Sequence, residues 1–200
     1  MIIFFGPAGA GKSMQGQMLA ARHGWRWLSS GQMFRDAADP EIINKLKTGE
    51  LIQDEITNEI VFNSVDKAHS CGDVGRIILD GYPRTVAQAR ALTEHETALC
   101  GDDPNFAKGG IDMCVVLEVP KSEIVKRLAV RGRAEDEPEA IERRLQIHRG
   151  EIYPLLDYYN DLGVPIEHID GVGTVGEVHD RIEEALTSYN IVKSLPGDVK

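Results

Sequence analysis

The first nineteen residues, MIIFFGPAGAGKSMQGQML, limit what this chain can fold into more than any other stretch does. An apolar run from Met1 to Phe5 passes at once into Gly6, four further residues, Gly11, Lys12 and Ser13, and then into a segment that reads as helix. The order is strand, phosphate loop, helix. Gly6, Gly9 and Gly11 can adopt backbone conformations closed to other residues and let the main chain approach a ligand. Successive N–H groups and the positive end of the following helix then form an anion cradle. Lys12 adds a full charge against the outer phosphates, and Ser13 offers a hydroxyl where such loops meet magnesium. A glycine-rich turn bearing a solvated lysine is the plain alternative; the spacing, with a strand before it and a helix after it, favours the phosphate site.

Size and charge narrow the choice further. A chain of 200 residues suits one domain with a sizeable core. Lys and Arg number 22 against 32 Asp and Glu, a net charge of −10, which speaks against nucleic acid and other polyanions as partners. A phosphate ligand therefore needs a local reversal of sign. Cys71, Cys100 and Cys114 are scattered and lack the close pairing of a zinc site. They read as reduced, mostly buried thiols of a cytoplasmic protein. Met1 to Phe5 is too short for a secretory signal core, and no apolar run approaches membrane-spanning length. Residues 191–200 read as a C-terminal tail, polar from Ser194 to Lys200.

Periodicity predicts further strands at Trp25–Leu28, Arg76–Asp80, Met113–Val119 and Pro165–Ile169. Helices are expected at Gln15–His23, Gln32–Ala37, Glu41–Lys47, Asp54–Ala68, Val86–Leu99, Glu123–Val130, Glu139–Tyr159 and Val175–Tyr189. Ser29-Ser30-Gly31 reads as a turn, and Pro154 falls inside the longest helix. This alternation implies an α/β fold with a parallel sheet and helices on both faces. Ligands bind at the carboxyl ends of such strands, where the phosphate loop and Asp80 both fall.

Asp80 ends an apolar strand and is placed as the acid that holds magnesium or its water; a cap for the turn at Gly81 is the alternative. Arg35, Arg84, Arg127, Arg131, Arg133 and Arg144 fall near element ends or in the charged segment, where guanidinium forks suit phosphate oxygens. Any one of them alone reads as solvated, as do Arg22, Arg76, Arg90, Arg149 and Arg181. His23, His95, His148 and His179 show no metal spacing and read as helix-surface or helix-end residues.

Taken in order, the phosphate loop at 6–13, Ser29-Ser30-Gly31-Gln32-Met33-Phe34-Arg35, Leu79-Asp80-Gly81-Tyr82-Pro83-Arg84-Thr85 with Gln88, and Arg127 through Arg144 resemble adenylate kinase. The resemblance runs to about Leu186, and its Asp-Gly-Tyr-Pro-Arg segment is not shared by phosphate-loop proteins at large. It implies the nucleoside monophosphate kinase fold, with reversible transfer of a phosphoryl group from MgATP to AMP. By that resemblance Gly9, Ala10, Gly11, Lys12, Ser13 and Met14 hold ATP phosphates, and Arg127, Arg131 and Gly173 cover the ATP side. Arg35 and Arg84 hold the AMP phosphate, while Ser30, Glu50, Leu51, Ile52, Gly81, Tyr82, Pro83 and Gln88 line the AMP site. Arg133 and Arg144 clamp the groups between donor and acceptor. Lys12, Arg84, Arg131, Arg133 and Arg144 would be the catalytic set, with Ser13 and Asp80 toward magnesium.

The resemblance further implies one kinase domain over residues 1–190, an AMP-binding arm at about 29–52 and a short lid at about 130–137 without zinc, in a monomer. Some positions depart from the family pattern: Ser13-Met14 stands for Gly-Thr, Gln32 for an acid, Glu50 for a common lysine, and Pro7-Ala8 is shifted. A UMP/CMP kinase of the same fold and a nucleotide-binding regulatory protein without turnover are the alternatives. Ser30, Thr85 and Gln88 favour AMP, and the intact Lys12, Asp80 and arginines favour catalysis.

Overall fold

The computed structural model describes residues 1–70, 76–100, 109–133 and 135–193. In chain order the elements are β1 (Ile2–Phe5), α1 (Lys12–His23), β2 (Arg26–Ser29), α2 (Ser30–Asp36), α3 (Pro40–Thr48), α4 (Asp54–Ser70), β3 (Ile77–Asp80), α5 (Val86–Cys100), β4 (Met113–Glu118), α6 (Lys121–Arg131), α7 (Pro138–Asp161), β5 (Ile166–Asp170) and α8 (Val175–Ser188). The five strands form one parallel sheet in the order β2-β3-β1-β4-β5. Strand order reverses at β1, and a crevice opens there at the carboxyl edge. The register brings the site together: Phe4 pairs with Asp80 and with Val115, and Ser29 also pairs with Asp80.

Two faces of the sheet carry two cores, as alternation along buried strands requires. Ile3, Phe5, Leu79, Cys114 and Val116 pack with Val61 and Val65 of α4, Leu92 of α5 and Leu155 and Tyr159 of α7. Ile2, Phe4, Ile78, Met113, Val115 and Leu117 pack instead with Leu19 of α1 and Val178, Ile182 and Leu186 of α8. Each fully buried aliphatic chain contributes roughly 1.5–3 kcal/mol, so Ile3→Asp would break the sheet at its centre. A much smaller cluster, Phe34, Ile42 and Ile52, holds α2 and α3 together.

Most expected boundaries shift by only a residue or two, but three expectations are corrected. No turn separates β2 from α2: Ser29 is extended and Ser30 already helical, because the buried Ser30 is tethered by its hydroxyl to the Gly81 carbonyl at 2.7 Å. The interior Pro154 is tolerated, as its place in the expected helix implies: α7 runs over 24 residues through it. Burial of Ile152, Leu155, Leu156 and Tyr159 offsets the roughly 3 kcal/mol that an interior proline costs. His179 is not on the surface but 5% exposed between α1 and α8, with Nδ1 at 3.2 Å from Gln15 Oε1. Arg76 and Arg181 are structural rather than merely solvated. Arg76 donates to Asp112 and to the Ile191 carbonyl, and Arg181 to the carbonyls of Asp170 and Val172.

Cys114 is buried in the core, which pushes its thiol pKa well up. Cys71, the Cys100 side chain, Ala134 and the Ser194–Lys200 tail lie outside the described residues. No described helix is long and apolar enough to cross a membrane.

Candidate active site

At the end of β1 the backbone turns through Gly6, Gly9 and Gly11 with φ of 136°, 85° and 102°. Gly6 is required twice over, since a Cβ there would sit 2.8 Å from the Leu117 carbonyl oxygen. Helix α1 starts at Lys12 and turns its positive end toward the loop. The Lys12 ammonium lies over the loop, donating to the carbonyls of Gly6 at 2.7 Å and Pro7 at 2.9 Å. Burial pushes its pKa down to about 8 against the pull of Asp80, with Arg84, Arg131 and Arg144 lowering it further. This is the local reversal of sign that an acidic chain needs in order to hold phosphate.

Below Lys12, Ser13 Oγ donates to Asp80 Oδ2 at 2.6 Å, and Asp80 is 4% exposed. The turn at Gly81 is secured by Ser30, whose hydroxyl reaches the Gly81 carbonyl, so Asp80 is not spent on capping it. A hydroxyl and a carboxylate side by side suit a hard cation such as magnesium, which takes its remaining ligands from phosphate and water. Among the described residues no three His, Cys, Asp or Glu side chains converge as a metal site of their own.

Across the cleft, Gly81 takes a φ of 80° and the Tyr82–Pro83 peptide is cis. Arg84 Nε donates back to the Gly81 carbonyl at 2.7 Å, which fixes the guanidinium in the cleft wall. Burial lowers the Arg84 pKa, Asp80 opposing and Arg144 adding to the shift. Five of the six arginines singled out in the sequence, Arg35, Arg84, Arg131, Arg133 and Arg144, line this one cleft with Lys12, Ser13 and Asp80. Gly81 and Pro83 line it too, as do Glu50 and Leu51 after α3.

The sixth, Arg127, does not line the cleft. It donates to the carbonyls of Ala10 and Gly171 at 3.4 and 3.0 Å and so joins the phosphate loop to the loop after β5. Gly173 lies in that second loop with a φ of 130°. Gly9 packs on Leu128 and Ile124, Ala10 is buried, and the Met14 side chain is half exposed outside the cleft.

Four residues expected on the acceptor side also have partners within the protein itself. Gln88 is 2% exposed and its amide is engaged at both ends: Nε2 donates to Asp54 Oδ1 at 2.7 Å, and Oε1 accepts from the Arg84 N–H at 2.7 Å. It braces the Arg84 backbone. Tyr82 is buried, with its hydroxyl on Asn58, and Ile52 belongs to the small core under α2 and α3. Ser29, rather than the buried Ser30, lines the cleft.

The segment after α6 carries acids that its charge pattern alone does not single out. Asp136 accepts from Arg131 and Arg144; burial raises its pKa, but the hydrogen bond from Arg131 and its charge outweigh this and hold it below the usual carboxylate range. Glu135 lies 3.4 Å from Arg35 and 3.7 Å from Arg133. Burial, Arg133 and Arg131 lower the Arg35 pKa, with Glu135 opposing. Arg143 ties α7 to the end of α3, donating to the Thr48 carbonyl at 2.9 Å and to Glu50 at 3.1 Å. Gly49 permits that contact, because a Cβ there would meet the Ala140 carbonyl oxygen at 2.7 Å. Asp54 and His148 were missed as well. Asp54 reads in sequence only as the acid that opens α4, and the alternation of charges at 135–136 looks like an ordinary solvated loop.

Comparison with known proteins agrees with this geometry. The family model described as adenylate kinase matches residues 4–164. The chain is 37% identical over 193 residues to an adenylate kinase of Mycobacteroides abscessus, covering 92% of this chain and 98% of that protein. It is 35% identical over 199 residues to an adenylate kinase of Thermus thermophilus, covering 92% and 96%. An adenylate kinase of Mycobacterium tuberculosis is 37% identical over 196 residues, covering 92% and 98%. With a phosphate loop, an acid at the end of β3 and five arginines on one cleft of a parallel sheet, this nucleotide-binding phosphotransferase belongs to the adenylate kinase family.

Proposed function

We propose that this chain transfers the terminal phosphoryl group of MgATP reversibly to AMP, giving two ADP. The observation that carries this is the convergence of Lys12, Arg84, Arg131, Arg133 and Arg144 on one cleft that the phosphate loop, the α2–α3 segment and Gly81 all line. An AMP phosphate oxygen bonds to the terminal phosphorus of ATP, and the bond to the bridging oxygen breaks with its electron pair leaving on ADP. The protein's share of such chemistry is alignment and neutralisation of charge.

In this scheme the loop backbone over 9–13 and Lys12 hold donor phosphates, while Arg127 and the Gly173 backbone border the adenine. Arg35 and Arg84 take the acceptor phosphate, and Gln32, which accepts from Arg35 at 3.1 Å, aims the first of these. Arg131, Arg133 and Arg144 surround the transferred group. Ser13 and Asp80 face the magnesium carried by ATP, directly or through water. Residues 29–52 act as the acceptor arm and 130–137 as the lid of a single domain over 1–190. Their closure excludes water from the phosphates. Among the described residues the charge chemistry is that of a small-molecule enzyme, and we place it in the cytoplasm as a monomer, without zinc.

Because the Gln88 amide is held by Asp54 and Arg84, base selection has to be measured directly. A coupled assay with ATP, magnesium and each of AMP, GMP, CMP and UMP should show ADP formation fastest with AMP. Faster turnover with CMP or UMP would replace AMP by a pyrimidine acceptor; no turnover with any of them would leave a regulatory nucleotide binder.

A further inference from the structure

Helix α7 forms the rear wall of the cleft, and a second cavity lies directly behind it. The cleft measures about 170 Å³ and the groove behind it, bounded by α6, α7 and the ends of β4 and β5, about 280 Å³. Helical periodicity divides α7 between the two. Arg144, Glu151 and Leu155 border only the cleft, whereas Arg149, Tyr153 and Leu156 border only the groove. His148 and Ile152 border both, as does Pro7 of the phosphate loop. These three side chains are the partition between the phosphate site and the groove.

We propose that His148 is a specificity-determining residue that closes the back of the phosphate site to water, and so sets the ratio of phosphoryl transfer to AMP over transfer to water. The proposal rests on the phosphoryl-transfer function above. The competing step is balanced as follows: a water oxygen bonds to the terminal phosphorus of ATP, and the bond to the bridging oxygen breaks with its electron pair on ADP. The water proton passes to bulk solvent, leaving ADP and inorganic phosphate. Such a step needs a path for water, and a water molecule occupies only about 30 Å³ of liquid. Truncating the imidazole to a methyl group would join two cavities that are each several times that size.

The chemistry of the residue fits a wall better than a phosphate ligand. No hydrogen bond ties the imidazole to another described group, and its electrostatic neighbours are Lys12, Arg84 and Arg149. Burial, helped by those three cations, pushes its pKa down to about 4. At neutral pH the ring therefore adds volume without charge. A fourth cation among Lys12, Arg84 and Arg149 is avoided, and the ring takes up volume in the wall it shares with Pro7 and Ile152.

The test compares inorganic phosphate release from MgATP alone with ADP formation from MgATP and AMP in the full-length protein. His148→Ala is expected to raise the ratio of hydrolysis to transfer about tenfold or more. His148→Phe refills the space without ring nitrogens and should return the ratio close to that of the unmodified protein. Ile152→Ala opens the same partition and should move the ratio in the same direction, which keeps the test decisive if His148→Ala does not fold. Tyr153→Ala, which borders only the groove, should leave the ratio unchanged. An unchanged ratio in both alanine variants overturns the proposal, as does a high ratio in His148→Phe, which would assign the effect to the ring nitrogens. Absence of ADP formation by the unmodified protein with AMP would instead count against the function itself.

Discussion

The floor of the cleft and its cover are built in different ways. The floor is backbone geometry: positive-φ glycines, a helix start and Asp80, all set by strands whose side chains are fully buried in two large cores. The cover, α2, α3 and the segment after α6, rests on a cluster of three buried apolar residues and on ion pairs, among them the exposed Arg143–Glu50 pair and an Arg131–Asp136 pair whose carboxylate is buried. Exposed ion pairs contribute only about 0–1 kcal/mol each. The floor is therefore fixed, while the proposed cover rests on fewer buried contacts, as the proposed admission of two nucleotides and exclusion of water requires.

This contrast predicts a ranking of effects. Lys12→Ala strikes the floor and should lower kcat/KM by about a thousandfold or more, corresponding to roughly 4 kcal/mol, while the thermal midpoint stays near that of the unmodified protein. Near-normal turnover in that variant would remove the phosphate-loop assignment. Arg35→Ala strikes the cover and should raise KM for AMP by about ten- to a hundredfold with a smaller change in kcat. An unchanged AMP dependence would take Arg35 out of the acceptor site.

Gly49→Val forces a Cβ against the Ala140 carbonyl and a strained φ, so the arm should no longer seat on α7. The expected result is a rise of about tenfold in KM for AMP with KM for ATP little moved. If both constants rise together, arm and floor are coupled more tightly than the packing indicates. Arg143→Ala removes the contacts to Thr48 and Glu50 and should have the smallest effect, a few-fold at most.

Two pH effects sharpen the same contrast. The Lys12 ammonium, with a pKa of about 8, is charged below that value and neutral above it. The free enzyme's kcat/KM for ATP should accordingly fall as pH rises through about 8, and Lys12→Arg should push that limb to higher pH. The folded pKa of His148, about 4, lies below the ordinary 6.5. Between these values the unfolded chain binds a proton that the folded chain does not. Stability therefore falls as pH drops from 6.5 toward 4, by at most about 3 kcal/mol. Urea midpoints of His148→Gln at pH 7 and pH 5 should differ by less than those of the unmodified protein.

The same division decides what was legible in the sequence. Glycine spacing, buried strand runs and an acid at a strand end are local signals, so the phosphate loop, Asp80 and the order of strands and helices could be read from the chain itself. Arg35, Arg84, Arg131, Arg133 and Arg144 were found as candidates because charge near element ends is also local. Asp54 was not, because its importance comes from Gln88 and Thr85, some thirty residues away. The Arg143–Glu50 pair spans a sequence separation of 93 residues, and the cleft-facing position of His148 depends on which side of α7 meets the phosphate loop. Gln88, whose residue type suits an adenine edge, also bonds Asp54 and the Arg84 backbone, contacts that no local signal reveals.

ADP offered alone is the most direct test of the central claim, since both halves of the cleft must then accept an adenine nucleotide. Incubated with magnesium and ADP, the purified protein should form ATP and AMP in equal amounts, and Lys12→Ala should form neither. ADP left intact, or converted to AMP and inorganic phosphate without ATP, would contradict a site built for transfer between two nucleotides.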